Sequence, residues 1–388
     1  MPSRRDFIGS LLRLVPAGLC LPIRARAATL VGYPYLQNVG PGYATIFWTT
    51  GEESQGAVRF STDSNRAGTA TSIVWELAPE ETELPASCFR HRAQLEDLGE
   101  GVQCQYGVYA DGEPLTFDEN TRFRTACPGP FRFLAFGDSG TGGEAQRKLA
   151  ALMLQEKVCL AVHTGDLAYP RATFQQFQAH HFDVYRDLFQ RVPMFPSPGN
   201  HEYWTADAAP YLFLHETPAA RVPEKDRGRY YSFDWGDVHF VALDSNRPLS
   251  EAARGRGAML QWLDEDLRAT SKYWKIVYFH HPPYAWGPNE NDSHSALARE
   301  HIVPILELRG VQLVLNGHEH NYQRSHPIRG GDMVREGEGI VYLTTGGGGG
   351  GLYPVYAHRL QAAGASLHHY LRITVEGPRL TALAVTLD

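Results

Sequence analysis

Cysteine is scarce in this sequence, with five residues in a chain of 388. Their positions, Cys20, Cys88, Cys104, Cys127 and Cys159, show none of the close spacing by which thiolates bind a metal ion. This excludes a zinc site built on cysteine and a small scaffold held by many disulfides. A disulfide among Cys88, Cys104 and Cys127 stays open, because pairing cannot be read from sequence.

Long apolar runs are also missing, since no stretch reaches the ~18 residues that a membrane-spanning helix needs. Basic residues are not in excess: 36 Lys and Arg stand against 43 Asp and Glu, which gives a net charge of −7. This balance argues against broad electrostatic binding of nucleic acid. With 43% hydrophobic residues, the composition is that of a globular protein of two or three domains, and it leaves the oligomeric state open.

The N-terminus is predicted to be a targeting segment rather than part of the fold. A twin-arginine pair at residues 4–5 precedes a modestly apolar stretch, and residues 25–27 form a small-x-small cleavage pattern. We therefore expect residues 1–27 to be a signal peptide that directs export, to the periplasm or outside the cell. Arg13 inside the apolar stretch leaves a basic amphipathic N-terminal helix as the alternative.

Residues 28–127 are predicted to form a small all-β domain. Three short segments, 44–49, 56–60 and 105–109, are rich in β-branched and aromatic residues and partly alternate between apolar and polar. Clusters of Gly, Asn, Asp and Pro separate them. Such short, closely spaced strands predict a β-sandwich. We expect it to pack against its neighbour or border the substrate rather than to act as a separate binding domain.

A different pattern begins at residue 128, after a Cys-Pro-Gly-Pro boundary. Apolar strand segments alternate with segments of helical spacing, and the tail at 370–387 adds two further strand-like runs. This alternation predicts an α/β domain over residues 128–388, with parallel strands and helices on the faces of a sheet. The helices are expected at 144–157, 173–189, 258–268 and 294–308.

Metal-capable side chains follow five of the predicted strands, just past their C-terminal ends. In chain order they are Asp138, Asp166 with Tyr169, Asn200, His280, and His318 with His320. The carboxyl ends of the strands are where an open α/β sheet binds ligands. A glycine beside the ligand in four of the five places lets the backbone turn sharply. Each signal is weak alone, but turns and helix caps would rarely produce all of them together.

These five blocks resemble those of calcineurin-like metallophosphoesterases, specifically of the purple acid phosphatase family. The family patterns Asp-x-Gly, Gly-Asp-x-x-Tyr, Gly-Asn-His-Asp/Glu, a strand-end His before x-Pro, and Gly-His-x-His all stand here. Most metallophosphoesterases carry Asp-x-His in the first block, whereas this chain has Gly140, and Tyr169 takes over as ligand. The resemblance covers about residues 30–388. It implies a four-layer α/β/β/α metallophosphoesterase sandwich preceded by a fibronectin type III-like β-sandwich.

The resemblance further implies two metal ions, Fe(III) and a divalent zinc, iron or manganese. The implied ligands of the first are Asp138, Asp166, Tyr169 and His320. Those of the second are Asp166, Asn200, His280 and His318, so that Asp166 bridges. Carboxylate and phenolate oxygens suit trivalent iron, while imidazole and amide donors suit a divalent ion. Phenolate ligation also implies a visible charge-transfer band. His280 is assigned rather than His281 because the family spacing is His-x-Pro.

Two further histidines are candidates for facing the substrate. His201, next to Asn200, matches a family residue and is predicted to protonate the leaving oxygen or to bind phosphate oxygens. His294 is a second candidate, with opening the following helix as its alternative role. The pair His180-His181 lies on a predicted helix without a partner motif and is expected at the surface.

The glycine run at residues 346–351 lacks the Lys-Ser/Thr of a P-loop, so we expect it to form a wall of the active-site cleft.

The predicted activity is hydrolysis of small-molecule phosphate monoesters by a metal-bound hydroxide, in the manner of an acid phosphatase. A phosphodiesterase or nucleotide phosphohydrolase would use the same ligands, because the cleft walls choose the substrate. A non-catalytic iron-binding protein is the alternative outside enzymes. Retention of all seven implied ligands and of His201 argues against that alternative.

Overall fold

The computed structural model describes residues 28–116 and 121–387, so the predicted signal peptide lies outside the described residues. In the described ranges no helix has the length and apolar character to cross a membrane. The four cysteines there are free, so no disulfide joins Cys88, Cys104 and Cys127.

The first part of the chain folds into nine strands in two antiparallel sheets, and three of these strands cover the predicted segments 44–49, 56–60 and 105–109. The strands are β1 Leu30–Gln37, β2 Ala44–Thr50, β3 Gly56–Thr62, β4 Ala67–Thr71, β5 Ile73–Leu77, β6 Cys88–Leu95, β7 Gln103–Ala110, β8 Glu113–Thr116 and β9 Arg122–Arg124. A one-turn helix, α1 Pro79–Thr82, follows β5. The sheet orders are β1-β2-β6-β5 and β4-β3-β7-β8, with β9 also on β7. Trp48, Val58 and Val108 are buried in the core between these sheets. The fibronectin type III likeness and the boundary at 127/128 stay predictions.

The remaining chain alternates strands and helices. Its strands are β10 Phe131–Phe136, β11 Leu160–His163, β12 Met194–Pro196, β13 Tyr231–Trp235, β14 Val238–Ala242, β15 Trp274–Tyr278, β16 Leu313–Asn316, β17 Tyr322–Ser325, β18 Ile328–Arg329, β19 Asp332–Met333, β20 Val341–Thr345, β21 Gln361–Ala365, β22 His369–Glu376 and β23 Arg379–Thr386. Its α-helices are α2 Glu144–Met153, α3 Phe174–Phe177, α4 Arg186–Phe189, α5 Ala209–Leu214, α6 Arg247–Ala253, α7 Met259–Ala269, α8 Ser293–Leu297 and α9 Val303–Leu308.

Two mixed sheets carry these strands. The first has the order β12-β11-β10-β22-β23, and its members β10, β11 and β12 are parallel. The second has the order β13-β14-β15-β16-β20-β17-β21, with β14, β15, β16 and β20 parallel. The predicted parallel units are therefore confirmed, and antiparallel strands complete both sheets.

The period-two alternation of the strands builds the layers. In β10, Phe133 packs into the core that also contains Ile276 of the second sheet, so the two sheets face each other. Leu134 points the opposite way and packs with Leu149 of α2. On the far side, Val277 packs with α7. Helices thus cover the outer faces of two sheets, which is a four-layer arrangement.

The helix expected at 173–189 is wrong as one continuous element. It consists of α3, a π-helix at Gln178–Phe182, and α4. Surface exposure of His181 is also wrong, because its residue is 0% exposed. The physical reason is packing within the same part of the chain, because the His181 ring lies 5.0 to 6.1 Å between centroids from the rings of Phe177, Phe189 and His215.

A second expected helix, 294–308, is also divided, into α8, a π-helix at Ala298–Ile302, and α9. Pro304 stands in the first turn of α9. Its ring nitrogen cannot donate the usual i to i−4 hydrogen bond, which accounts for the change in helical pitch before it.

Candidate metal centre

Five loops at the carboxyl ends of strands bring the seven predicted ligands together. The loops follow β10, β11 and β12 of the first sheet and β15 and β16 of the second. They deliver, in chain order, Asp138, Asp166 with Tyr169, Asn200, His280, and His318 with His320. Because these strands are neighbours in two sheets that face each other, their carboxyl ends meet at one edge of the layered core.

The backbone of three of these residues is held in a left-handed conformation. The φ angles are 55° at Asp138, 58° at Asp166 and 67° at His318, and a glycine precedes each of them. Non-glycine residues seldom adopt this region, and such strain gathers at functional sites. The loops also approach very closely: a Cβ on Gly199 would lie 2.1 Å from Asp166 Oδ1. Only glycine permits that approach.

The Tyr169 hydroxyl lies at the middle of a first group of donor atoms. It is 3.0 Å from Asp166 Oδ2, 3.4 Å from Asp138 Oδ1 and 3.2 Å from His320 Nε2. Asp138, Asp166 and His320 alone already bring three potential ligand atoms within 4.8 Å of one another. His320 Nδ1 donates to the Gly351 carbonyl at 2.8 Å, which leaves Nε2 with its lone pair toward this group.

A second group surrounds His280 Nε2. That atom lies 2.9 Å from Asn200 Oδ1, 3.2 Å from His318 Nδ1 and 3.6 Å from Asp166 Oδ1. Asp166 therefore faces the first group with Oδ2 and the second with Oδ1. This is the position that a bridging carboxylate requires.

The second group fits a cation. His280 Nδ1 lies 2.9 Å from the Thr164 carbonyl, which can only accept a hydrogen bond, so Nδ1 carries the proton and Nε2 a lone pair. That lone pair faces the acceptor oxygen of Asn200 at 2.9 Å. Two acceptors so placed repel unless a metal cation or a second ring proton lies between them. Burial lowers the pKa of His280, but the charges of nearby Asp166 and Asp138 outweigh burial and raise that pKa in the absence of metal. Metal bonds of about 2.1 Å separate neighbouring ligands by about 3.0 to 3.4 Å, close to the distances found here.

The first group fits a cation for a different reason. Burial and the charges of Asp166 and Asp138 raise the pKa of Tyr169 well above that of an ordinary phenol. A phenolate there therefore needs a strong positive charge beside it. Burial lowers the pKa of His320, but the hydrogen bond and charge of Asp138 outweigh burial and raise that pKa to about 9. Without a cation, a proton on His320 is what balances the two buried carboxylates.

Glu202 organises the loops from behind, a role that was not predicted. It is 0% exposed, and it accepts hydrogen bonds from the backbone N–H groups of Asp166 at 2.9 Å, Leu167 at 2.8 Å and Gly199 at 2.7 Å. One side chain thus joins the β11 loop to the β12 loop. The sequence could have indicated this role through the position of Glu202 in the Gly-Asn-His-Glu block, because an acidic residue two positions after a ligand can hold that ligand's loop.

The glycine run at residues 346–351 forms an inner wall of the site. Gly350 N donates to the Asp138 carbonyl at 2.8 Å, and Gly351 accepts from His320. Gly140 is equally confined, since a Cβ there would lie 2.1 Å from the Leu167 carbonyl oxygen. No side chain fits at Gly140, which accounts physically for the absence of a histidine in the Asp-x-Gly block.

His201 borders the centre from outside. Its Nδ1 donates to the Pro170 carbonyl at 2.5 Å, and its Nε2 lies 3.8 Å from Asp166 Oδ2. The carbonyl fixes the ring so that Nε2 faces the donor groups, where a substrate would lie.

His281 and His294 form a separate stack beside the second group, with ring centroids 4.7 Å apart. His281 Nδ1 is hydrogen-bonded to Ser245 Oγ at 2.8 Å, yet one of its nitrogens also lies within 4.8 Å of ligand atoms of His280 and His318. His294 is the second residue of α8, which Asp292 caps. The structure does not bring His294 into either donor group, and its substrate-facing role stays a prediction.

A cavity of about 320 Å³ lies elsewhere, between the β-sandwich and α3. Tyr35, Arg90 and Phe174 are among its lining residues, and none of the seven predicted ligands is.

Comparison with known proteins gives a consistent result. Residues 131–322 match the family model of the calcineurin-like phosphoesterases. An uncharacterized protein of Mycobacterium tuberculosis is 26% identical over 67% of this chain and 58% of its own length. Purple acid phosphatase 18 of Arabidopsis thaliana is 27% identical over 65% of this chain and 61% of its own length. The chain thus spans about three-fifths of these curated relatives.

The fold is shared with a solved structure. Purple acid phosphatase from yellow lupin (Lupinus luteus) seeds superposes with a TM-score of 0.79 at 17% identity, covering 92% of this chain and 72% of that one. The match of residues 131–322, the sequence relatives and the shared fold together support a place among the calcineurin-like phosphoesterases and, within them, in the purple acid phosphatase family.

Proposed function

We propose that this protein hydrolyses phosphate monoesters of small molecules with a centre of two metal ions. Asp138, Asp166, Tyr169 and His320 would hold Fe(III), and Asp166, Asn200, His280 and His318 a divalent zinc, iron or manganese ion. Hard oxygen donors dominate the first set, and nitrogen and amide donors dominate the second. When bound, the ions would supply Lewis acidity that activates water and neutralises phosphate charge.

The chain's own residues hold the ligand loops in place and provide a proton for the leaving group. His201, held by the Pro170 carbonyl, presents Nε2 toward the centre, where it would protonate the leaving oxygen as the ester bond breaks. Glu202 keeps the loops of Asp166 and Asn200 in a fixed relation through three backbone hydrogen bonds. That rigidity matters because misplacement of a catalytic group by about 1 Å costs on the order of 100-fold in rate.

The observation that carries the proposal is the position of Asp166. Its two oxygens face two separate groups of donor atoms, 3.0 Å from Tyr169 on one side and 3.6 Å from His280 on the other. A hydrolytic centre of two ions needs this kind of bridge. Export by the segment at residues 1–27 remains part of the proposal and rests on sequence alone.

Removal and return of metal tests the function. The full chain would be treated with a chelator, and hydrolysis of p-nitrophenyl phosphate measured before, after, and upon addition of iron with zinc. We expect loss of turnover and its recovery. Bis(p-nitrophenyl) phosphate is the matched diester, and we expect a lower kcat/KM for it. Turnover that persists without metal, or two bound metals with no turnover of either ester, would contradict the proposal.

A further inference from the structure

An exposed tryptophan borders the proposed acid of the reaction. Trp204 is 54% exposed, which is unusual for so large an apolar side chain. It ends the short 3₁₀ helix His201–Trp204 that follows Asn200. Residues three apart eclipse each other in a 3₁₀ helix. The rings of His201 and Trp204 accordingly lie together, with centroids 4.2 Å apart and an angle of 36° between their planes.

The turn that carries this pair is anchored from below. Tyr203, between the two, is hydrogen-bonded to Asp244 and to the buried guanidinium of Arg229. Arg229 is 0% exposed and also binds Asp207 at 2.8 Å. Trp204 is therefore held in place by its neighbours along the chain, although its own ring is open to solvent.

Aromatic rings continue across the mouth of the site. The His201 ring lies 4.6 Å from the Tyr169 ring, and Tyr353 stacks on His320 with centroids 4.3 Å apart and planes 3° apart. The charged and polar centre is thus bordered by flat apolar surfaces at two points. A substrate whose phosphate is held at the centre meets Trp204 on the side where His201 acts.

From this placement we infer that Trp204 is a specificity-determining residue that stacks on the leaving group, and that the preferred substrates are aryl phosphates. This inference rests on the proposed function. The leaving oxygen accepts its proton from His201, so the group bonded to that oxygen lies beside the ring that Trp204 covers. In an aryl phosphate the ring is bonded directly to that oxygen. In a nucleoside 5′-phosphate a ribose intervenes and carries the base past Trp204.

The test compares ligands with and without a ring. Phenylphosphonate and methylphosphonate are non-hydrolysable, and their dissociation constants would be measured on the metal-loaded full chain. Phenyl phosphate and ethyl phosphate provide kcat/KM in parallel. Aromatic pairs of this kind contribute about two- to twelvefold in binding. We therefore expect Trp204→Ala to weaken the binding of phenylphosphonate about five- to tenfold and that of methylphosphonate less than twofold. Trp204→Phe should bind both with affinities close to those of the wild type.

A matched control exists in Tyr273, which is 59% exposed and lies before β15, at the opposite end of the strand that leads to His280. Tyr273→Ala should leave the dissociation constants of both phosphonates and the kcat/KM values of both phosphates unchanged. Equal effects of Trp204→Ala on both phosphonates would overturn the inference. So would an effect on adenosine 5′-monophosphate without one on phenyl phosphate, which would indicate nucleotides instead. If the wild type hydrolyses no ester, the proposed function fails, while the phosphonate constants still decide the role of Trp204.

Discussion

Asp138, Asp166 and His318 share a left-handed backbone, each directly after a glycine. The sequence pattern of glycine beside a metal-capable residue could be seen without a structure, but the strain could not. Strained residues persist where the surroundings over-determine them. Here Glu202 and the close glycines provide those surroundings, so the geometry of the ligands depends on contacts well beyond the ligands themselves.

His201 is the residue whose replacement separates chemistry from metal binding. It lies outside both donor groups, with Nε2 3.8 Å from Asp166. We expect His201→Ala to lower kcat by about 10²- to 10⁴-fold, the usual contribution of a general acid, while two metals per chain remain bound. Metal content and kcat would be measured on the same sample. Loss of metal in the variant would make His201 a structural or ligating group instead.

Buried histidines should limit stability in acid. Burial lowers the pKa of His181 well below its ordinary value and that of His215 to about 3. Both stay neutral in the folded protein, whereas the unfolded chain takes up protons below about pH 6.5. The unfolded state then binds more protons, so the free energy of unfolding falls as pH falls from 6.5.

His181→Phe removes one of these groups from an aromatic cluster that includes Phe177 and Phe189. Between pH 7 and pH 5 we expect the variant to lose about 2 kcal/mol less unfolding free energy than wild type. Urea unfolding at both pH values measures this difference, and pH 8, where His181 is neutral in both states, is the reference. An identical pH dependence in the two proteins would show that His181 is protonated in the fold.

Among the elements, the glycine run at residues 346–351 offers the sharpest comparison. A Cβ on Gly350 would lie 2.8 Å from the His320 ring, whereas one on Gly351 meets nothing within 4 Å. Gly350→Ala should therefore displace His320 and weaken binding of the first metal about tenfold or more, because ligand orientation controls affinity. Gly351→Ala is the matched control and should bind as wild type. Metal titration of both variants measures these affinities. Equal affinities would show that the glycine run does not position His320.

The parallel strands of both sheets were predictable, and the helices only partly so. The segment Phe131–Phe136 is a strand over the predicted residues, because all of its residues except the exposed Arg132 are apolar and buried. The segment at 173–189 was wrongly predicted as one continuous helix with an exposed face, because both of its faces are covered. One packs on the first sheet and the other meets the β-sandwich, a contact between residues far apart in sequence. His181 is buried because its ring packs among Phe177, Phe189 and His215.

In the candidate site, the convergence of the donor residues was predictable and their supporting contacts were not. Residues at strand ends converge because parallel strands point their carboxyl ends to one edge, so the set of donors could be proposed from spacing. The supporting hydrogen bonds of Glu202, the wall of glycines and the stacking of Trp204 on His201 depend on how separate loops meet in space. Local sequence carries little information on contacts between loops that are far apart in the chain.

At the scale of the whole molecule, the β-sandwich is attached to the phosphoesterase domain through buried polar contacts. Arg90 of β6 is 2% exposed and donates to the Leu214 carbonyl at 3.0 Å, to the Tyr35 hydroxyl at 2.6 Å and to the Phe213 carbonyl. Two residues along the strand, Arg92 pairs with Glu216 at 2.5 Å. These contacts predict that the two parts unfold together.

Arg90→Met should lower the free energy of unfolding by about 3 kcal/mol, because it removes three hydrogen bonds that a buried guanidinium makes across the interface. Arg92→Met is the matched control, with an expected loss of about 1 kcal/mol, since its ion pair is partly exposed. Urea unfolding followed by intrinsic fluorescence measures both. Two separate transitions in wild type, or equal losses in the variants, would contradict a cooperative interface.

The central claim is that one carboxylate, Asp166, joins two metal sites. It is tested most directly by counting metals per chain, with a visible spectrum, in wild type, Asp166→Asn and the control Asp237→Asn, an exposed acid before β14. We expect about two metals, one of them iron with a visible band, in wild type and control, and fewer than one in Asp166→Asn, because both sites lose an anionic ligand. A wild type with a single metal, or an Asp166→Asn variant that keeps two, would contradict the account.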